Sequence, residues 1–405
     1  MSGMTAAPMT IREALARVID RHNLTADQMA EVVGEIMDGQ ATPAQIGGLL
    51  VALRMKGETV DEIVGAARAM RARMIGVDFD ADPIIDTCGT GGDGSRSVNI
   101  STIAAFLVAA AGVVVAKHGN RAQSSRSGSH DVIESLGLDP APNPATAARC
   151  LREAKLTFLF APAHHAATRH VGAARKEVGV RTIFNLLGPL TNPCGAKFHV
   201  NGIFSRERCE ILAEAHGALG SKRAMVVHGA GGLDEFAPAG STFVAELANG
   251  SVRTHDLRPV DFGLEESDPV GLRGGEPADN ARIALEILRG GGPEAAVNAT
   301  LMTAGAALYV AGAAADLRAA TATAREVLAG GGGLAVLETL RRIAPRPAPA
   351  STSGTPGGFP NPPALGSGEQ SSPPPMRSTS GTPGGFPNPP ALGSGEQSSP
   401  PPTRS

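Results

Sequence analysis

Cysteine is scarce and badly spaced for chemistry. Cys88, Cys150, Cys194 and Cys209 lie far apart with no C-x-x-C pair, which excludes a zinc ribbon and a disulfide framework and fits a reducing cytoplasm. Neither sign of charge prevails. The net charge of −3 argues against nucleic acid as a partner and leaves room only for a local basic crevice. Long apolar runs are missing too: the longest, Ile103 to Ala116, falls short of a membrane span and divides into a helix and a strand. The opening Met-Ser-Gly-Met-Thr-Ala-Ala-Pro has no basic or apolar block of a signal peptide. Together these absences predict a soluble cytoplasmic protein with no membrane partner. There is also no Gly-Lys-Ser/Thr, so a nucleoside-triphosphate P-loop is out.

Glycine, by contrast, is plentiful, with 51 in 405 residues, a length that suggests two or three domains. The densest cluster lies between Pro83 and Ser129. Ile84-Ile85 reads as a strand that ends in Asp86-Thr87 and the turn Gly89-Thr90-Gly91-Gly92-Asp93-Gly94. A helix follows over about Ser101–Ala111, stopped by Gly112. Val113 to Ala116 reads as a second strand running into a loop, Lys117-His118-Gly119-Asn120-Arg121. A strand–helix–strand unit makes its strands parallel and puts both loops on one edge of the sheet, where open α/β sheets bind ligands. Bare backbone N–H groups, helix starts and the charges of Lys117 and Arg121 suit a polyanion, most simply a pyrophosphate.

Two blander readings compete. Gly89-x-Gly91-x-x-Gly94 matches the dinucleotide fingerprint, but that motif needs an acidic residue about 20 positions on, where this chain has Lys117. A merely structural glycine turn leaves the basic residues beside it unexplained.

The rest of the chain sorts into three textures. Thr10-x-x-Glu13, Thr25-x-x-Gln28, Thr42-x-x-Gln45 and Thr59-x-x-Glu62 are four capping boxes ahead of apolar residues at helical spacing. They predict a helical domain over residues 10–79, joined by part of 180–193. Residues 80–344 alternate as α/β, with a helix over Pro144–Ala154, a strand over Leu156–Phe160, a helix over about Ala166–Val178 and a hairpin about Asn249-Gly250. Residues 345–405 are rich in Pro, Gly and Ser, and Ser351–Arg377 recurs as Ser378–Arg404 with only Met376 changed to Thr403. Such a tail buries too little to offset chain entropy and is expected to be disordered, an inert extension rather than a proline-groove ligand.

Asp86 to Asp93 (DTCGTGGD), Asn99-Ile100-Ser101-Thr102 and Lys117 to Arg121 (KHGNR) together resemble the anthranilate phosphoribosyltransferase family. So do Arg175-Lys176-Glu177, Val180 to Pro193 (VRTIFNLLGPLTNP), Val226 to Gly229 and Leu233-Asp234-Glu235, all in order over residues 10–343. The resemblance implies a small N-terminal helical domain plus a larger α/β domain with a mainly parallel central sheet, of the nucleoside phosphorylase/phosphoribosyltransferase type, assembled as a homodimer. It implies transfer of the phosphoribosyl group of 5-phosphoribosyl diphosphate to the amine of anthranilate in tryptophan biosynthesis, with Mg²⁺.

Carried over residue by residue, the diphosphate site is Gly89, Gly92, Asp93, Ser97, Asn99, Ile100, Ser101 and Thr102. Lys117, His118, Gly119, Asn120, Arg121, Ala122, Gln123, Ser124, Ser125 and Ser129 close its other side. Ser101, Asp234 and Glu235 hold the metal, and Arg175 takes the anthranilate carboxylate with Gly89 and Asn120 nearby. No acid, base or nucleophile is assigned, because the substrate amine attacks and the diphosphate already leaves well. His164-His165 is a poor chelator of one ion. Gly229 to Gly232, interrupted only by Ala230, makes the turn before Asp234 unusually free. Two alternatives stay in view: a pyrimidine nucleoside phosphorylase, against which Arg175 and the Asp234-Glu235 pair argue, and a non-catalytic nucleic-acid-binding relative, against which the net charge and that pair argue.

Overall fold

The computed structural model describes residues 8–122 and 126–347. The expected ligand residues Gln123, Ser124 and Ser125 and the repeats of the tail lie outside the described residues.

Four helices come first: α1 (Ile11–Ile19), α2 (Ala26–Met37), α3 (Pro43–Lys56) and α4 (Val60–Arg71). Thr10, Thr25, Thr42 and Thr59 each accept the N–H of the residue three positions on, whose side chain returns to the threonine N–H. That satisfies two donors which every helix start leaves unmet. The apolar stripes of these helices do not close a core among themselves. One hydrophobic cluster joins them to Val171 and Ala174 on the helix Arg169–Val178, to Ile183, Phe184 and Leu187, and to Ile203, Leu212, Val226 and Ala245.

The larger part is a seven-stranded sheet: β1 (Ile84–Asp86), β2 (Val114–Gly119), β3 (Leu156–Phe160), β4 (Phe198–Gly202), β5 (Arg223–Gly229), β6 (Thr242–Ala248) and β7 (Ser251–Leu257), in the order β3-β2-β1-β4-β5-β6-β7. The first five are mutually parallel, while β6 and β7 run antiparallel. Asn249 and Gly250 turn the last hairpin at φ 51° and 74°, the left-handed pair whose twist matches the strands. Alternate residues face opposite sides. Val115 joins the large cluster with α5 (Ile100–Ala110), and Ala116 joins a smaller one with α7 (Pro144–Ala154); α6 (Ser129–Ser135) lies between these helices in sequence. The chain builds β1, β2 and β3 outward, then returns to lay β4 on the other side of β1. The strand order therefore reverses at β1 and β4, and the loops after them bound a crevice.

Two expectations change. Lys117, His118 and Gly119 are not in a loop: β2 runs through them, paired with Phe158, Leu159 and Phe160. Strand pairing is possible because their polar groups find buried partners, described below. The folded part also runs past Ala344: the Arg346 N–H donates to Gly137 O at 2.9 Å and its guanidinium pairs with Glu134 at 3.2 Å. No helix among the described residues is long and apolar enough to cross a membrane.

Candidate active site

The glycine turn after β1 lies against the end of β4. Thr90 donates its N–H to Gly202 O at 2.8 Å, and its hydroxyl accepts the Phe204 N–H at 3.3 Å. Gly91, Gly92 and Gly94 take φ of 65°, 78° and 80°, a region closed to most side chains. A Cβ on Gly89 would lie 3.4 Å from Gly202 O and 3.7 Å from the Asp234 carboxylate. The turn, the end of β4 and the acidic segment thus converge on one point.

Three acids gather there. Asp93 accepts the Asp234 N–H at 3.2 Å, and Glu235 accepts the Ser101 N–H at 3.1 Å. Asp234 and Glu235 keep some exposed surface, so an ion can reach them, yet they are closely hemmed in. Desolvation, then the charges of Asp93 and Glu235, hold the Asp234 carboxyl well above the usual carboxylate range. Desolvation pushes Glu235 up to about 7, against the opposing pull of Lys117 and the Ser101 hydrogen bonds. Lys117 is buried, its ammonium 2.7 Å from Thr87 O and 3.2 Å from the Ser101 hydroxyl. Lys117 pulls on Glu235 and is shared with the buried Asp86, so the three acids are left with a deficit of positive charge. Hard oxygen donors with such a deficit fit a divalent cation such as Mg²⁺. The glycines before Asp234 form a closed turn, with Gly229 N–H bonded to Leu233 O at 2.8 Å and Ala230 N–H to Ser241 O at 3.0 Å.

The other expected ligand residues divide. Asn120 and Ser129 are brought together, the Ser129 hydroxyl donating to Asn120 O at 3.2 Å. Ser97 pairs with Arg273 in an isolated bridge, and Asn99 is held between Ser127 O and the Asn280 amide. Ile100 is wholly buried, its N–H already given to Val98 O, and Thr102 is buried as well. A Cβ on Gly119 would press on His130 and the Ser129 hydroxyl. His118 points to the opposite sheet face from Lys117, with Nδ1 2.9 Å from Gly188 O. Arg121 pairs with Asp131 at 2.9 Å and Glu134 at 2.8 Å, so its charge is already committed, and the Ala122 N–H donates to Asp131 at 2.9 Å. His164 and His165 bond to Ile75 O and Thr191 O as structural residues.

Arg175 sits in the last turn of the helix Arg169–Val178, which ends at Gly179 in the left-handed conformation. Its guanidinium lies 5.6 Å from the centre of the Phe184 ring, and burial lowers its pKa. Among the described residues it has no carboxylate partner. A desolvated, unpaired guanidinium is a receptor for an anion.

Comparison with known proteins agrees with this layout. Residues 12–74 match the helical bundle domain of the glycosyl transferase family, and residues 81–334 match its a/b domain. The chain is 50% identical over 335 residues to an anthranilate phosphoribosyltransferase of Anaeromyxobacter sp. (strain K), covering 82% of this chain and 97% of that protein. It is 51% identical over 334 residues to the one from Desulforudis audaxviator, 95% of which is covered. The chain belongs to the anthranilate phosphoribosyltransferase family. Among solved structures it is similar to the family member from Thermus thermophilus, at 42% identity and a TM-score of 0.78, covering 82% of this chain and 98% of that one. It is also similar to the Saccharomyces cerevisiae enzyme in complex with PRPP and Mg, at 28% identity and a TM-score of 0.75, covering 82% and 97%.

In this family member further residues support the site from beneath. Asp86, fully buried, accepts the His118 N–H at 3.1 Å and the Asn192 amide at 2.7 Å, and burial pushes its carboxyl up to about 6. With Cys88 and His118 it forms a cluster of metal-ligand types. Its oxygens are already filled, however, and burial pushes the Cys88 thiol up, so the cluster is a brace beneath the glycine turn. Asn280 reaches Asn99 from 181 positions away. Only three-dimensional contact reveals it.

Proposed function

We propose that this chain transfers the 5-phosphoribosyl group of 5-phosphoribosyl diphosphate to the amine of anthranilate, releasing pyrophosphate, as a step of tryptophan biosynthesis. The observation that carries this reading is the meeting of the glycine turn with the Asp234-Glu235 pair at the strand-order reversal. The full-length likeness to relatives of that name supports it.

On this reading the turn at Gly89–Gly94, with Ser97, Asn99 and Ser101, receives the diphosphate. Lys117 lends charge through Ser101, and Asn120 and Ser129 close the opposite wall. Asp234, Glu235 and the Ser101 hydroxyl would hold Mg²⁺, which when bound would supply positive charge to the diphosphate. The ribosyl carbon becomes oxocarbenium-like as that bond lengthens, as in glycoside hydrolysis. Arg175 holds the anthranilate carboxylate so that the ring amine faces this carbon, an orientation that favours the amine over water. The amine is its own nucleophile, so the chain needs no acyl- or glycosyl-accepting side chain.

A homodimer in the cytoplasm belongs to the same reading. Ile19 on α1 and Met55 on α3 are 63% and 71% exposed, on helices that pack together, and large exposed apolar groups favour a partner. The cysteines described are free thiols, which suits a reducing compartment.

The test is anthranilate fluorescence, followed with the purified chain, with and without 5-phosphoribosyl diphosphate and Mg²⁺. Consumption requiring both is expected. Phosphorolysis of a pyrimidine nucleoside in place of that reaction would overturn the reading. Light scattering at micromolar concentration reads the dimer, and a single-chain mass would remove it.

A further inference from the structure

Between the helix Arg169–Val178 and the short helix Phe184–Leu187 the chain passes through Gly179, Val180, Arg181 and Thr182. Its flanks are fixed: Ala174 before it and Ile183 and Phe184 after it are buried in the cluster shared with α1 to α4. Arg181 itself is exposed and reaches the other way. Its guanidinium lies 4.1 Å from the centre of the Phe204 ring, just past β4, and an Nη2 hydrogen donates to Gly92 O in the glycine turn.

That contact matters because of what else holds the turn. Three of its residues, Gly91, Gly92 and Gly94, have positive φ and no side chain to anchor. At its start Thr90 is bonded to Gly202 and Phe204, and at its end Asp93 is bonded to the Asp234 N–H. Between these two ties, the Gly92 carbonyl is gripped by Arg181. Phe204 serves both sides, giving its N–H to Thr90 and its ring face to Arg181. A guanidinium laid on an aromatic face keeps its hydrogens free in the ring plane, so stacking and donation are compatible.

We infer that Arg181 is a positioning residue for the diphosphate half of the reaction. It holds the glycine turn in its receiving shape through Gly92, with Phe204 as the platform that aims it. The inference rests on the proposed phosphoribosyl transfer for its kinetic consequence, but the tether can be tested without any substrate. It also ties the two substrates together: Arg175 and Arg181 stand on one short segment, either side of Gly179, so the segment that presents an arginine to the anthranilate carboxylate also steadies the turn for the diphosphate.

The experiment compares Arg181→Ala, Arg181→Lys, Phe204→Leu and the double variant Arg181→Ala/Phe204→Leu with the unsubstituted protein. In the free protein, exchange of the Thr90 amide, read by mass spectrometry or NMR, should speed up about fivefold or more in Arg181→Ala. At saturating anthranilate and Mg²⁺, KM for 5-phosphoribosyl diphosphate should rise about tenfold, while KM for anthranilate stays within about threefold. Arg181→Lys keeps a donor but no plane to lay on the ring, and should recover part of the loss. Phe204→Leu should act in the same direction more weakly, and the double variant should be no worse than Arg181→Ala alone, since both act through one contact. Unchanged exchange in Arg181→Ala overturns the inference, whatever the kinetics, because the turn is then held without Arg181. Faster exchange with an unchanged diphosphate KM overturns it as well. Equal rises in both KM values, or a melting temperature lower by more than about five degrees, would make Arg181 a general brace of the cleft instead. If the unsubstituted protein consumes no anthranilate, the proposed reaction fails while the exchange measurement still decides the tether.

Discussion

A carboxylate oxygen of Asp93 accepts the backbone N–H of Asp234 at 3.2 Å, across 141 positions of sequence. The contact clamps the glycine turn to the acidic segment and brings two like charges together. Replacing both Asp234 and Glu235 by alanine leaves that backbone donor in place and removes the crowded carboxyls. Turnover should fall at least about a hundredfold and lose its Mg²⁺ dependence. In the absence of divalent ions at pH 8, the melting temperature should rise rather than fall. Carboxyls whose folded pKa is raised destabilise the fold increasingly as pH climbs above their unfolded pKa, and active-site strain of this kind opposes stability. Near-normal turnover at ordinary Mg²⁺, read by the fluorescence assay, would take both residues out of the mechanism.

Arg175 carries the other substrate. Losing one side of a desolvated guanidinium–carboxylate pair costs on the order of 2–5 kcal/mol. Arg175→Ala should therefore raise KM for anthranilate about tenfold or more, with the 5-phosphoribosyl diphosphate dissociation constant within about threefold. Arg175→Lys should recover only part, because an ammonium lacks the two-pronged fork. Steady-state kinetics with each substrate varied in turn decides it, and an unchanged anthranilate KM refutes the assignment.

Gly202 is placed so that any Cβ would collide with the carbonyl of Asp234. Gly202→Ala must push the acidic segment away from the end of β4, costing about 1–3 kcal/mol in stability and at least about tenfold in kcat/KM. Gly172, on the helix that carries Arg175, is the control, since nothing lies within 4 Å of its Cβ position. Gly172→Ala should be neutral, or stabilise by about 0.5–1 kcal/mol through helix propensity. Thermal melts of the two variants should move in opposite directions, or only the first should move.

Acid should unfold this protein over a narrow range. Burial pushes His118, His130 and His199 down to about 3 and His165 to about 4, and holds His216 well below the ordinary value. Neutral in the fold and protonated near pH 6.5 once unfolded, they contribute stability that is complete above 6.5 and lost as pH falls toward 3. Asp86, Asp234 and Glu235, with raised pKa values, work in the opposite sense and cancel part of this. Without divalent ions the depressed histidines outnumber the raised carboxyls, so unfolding takes up protons near pH 5 and stability slopes down as pH falls. Urea titrations at pH 6.5, 5.5 and 4.5 should show that slope; a flat profile would mean these rings are accessible to protons in the fold.

Much of the fold was readable because its signals are local. Each of α1 to α4 announces itself with a threonine and a partner three positions on, and α7 and β3 begin and end where their patterns do. The hairpin about Asn249-Gly250 is equally self-contained. What could not be read depends on distant partners. Lys117 to Gly119 look like a loop until Thr87, Ser101 and Gly188 are seen to satisfy them inside a strand. The commitment of Arg121 to Asp131 and Glu134, only 10 and 13 positions on, was near at hand in sequence, but a basic residue beside a glycine turn reads as a ligand before it reads as a brace. The Ser101 N–H looks like a phosphate donor at a helix start until Glu235, 134 positions away, is found upon it.

The cluster that seals α1 to α4 also needs Val171, Leu187, Leu212 and Ala245. Helices α1 to α4 are synthesised before these partners and thus carry complete instructions for where to start and stop, but no partner surface to lie against. They wait, capped and half-greasy, through the synthesis of most of the sheet. A chain halted before Ala245 presents those stripes to whatever is nearby, which makes the N-terminal helices the part of a nascent or truncated chain most exposed to chaperones and to aggregation.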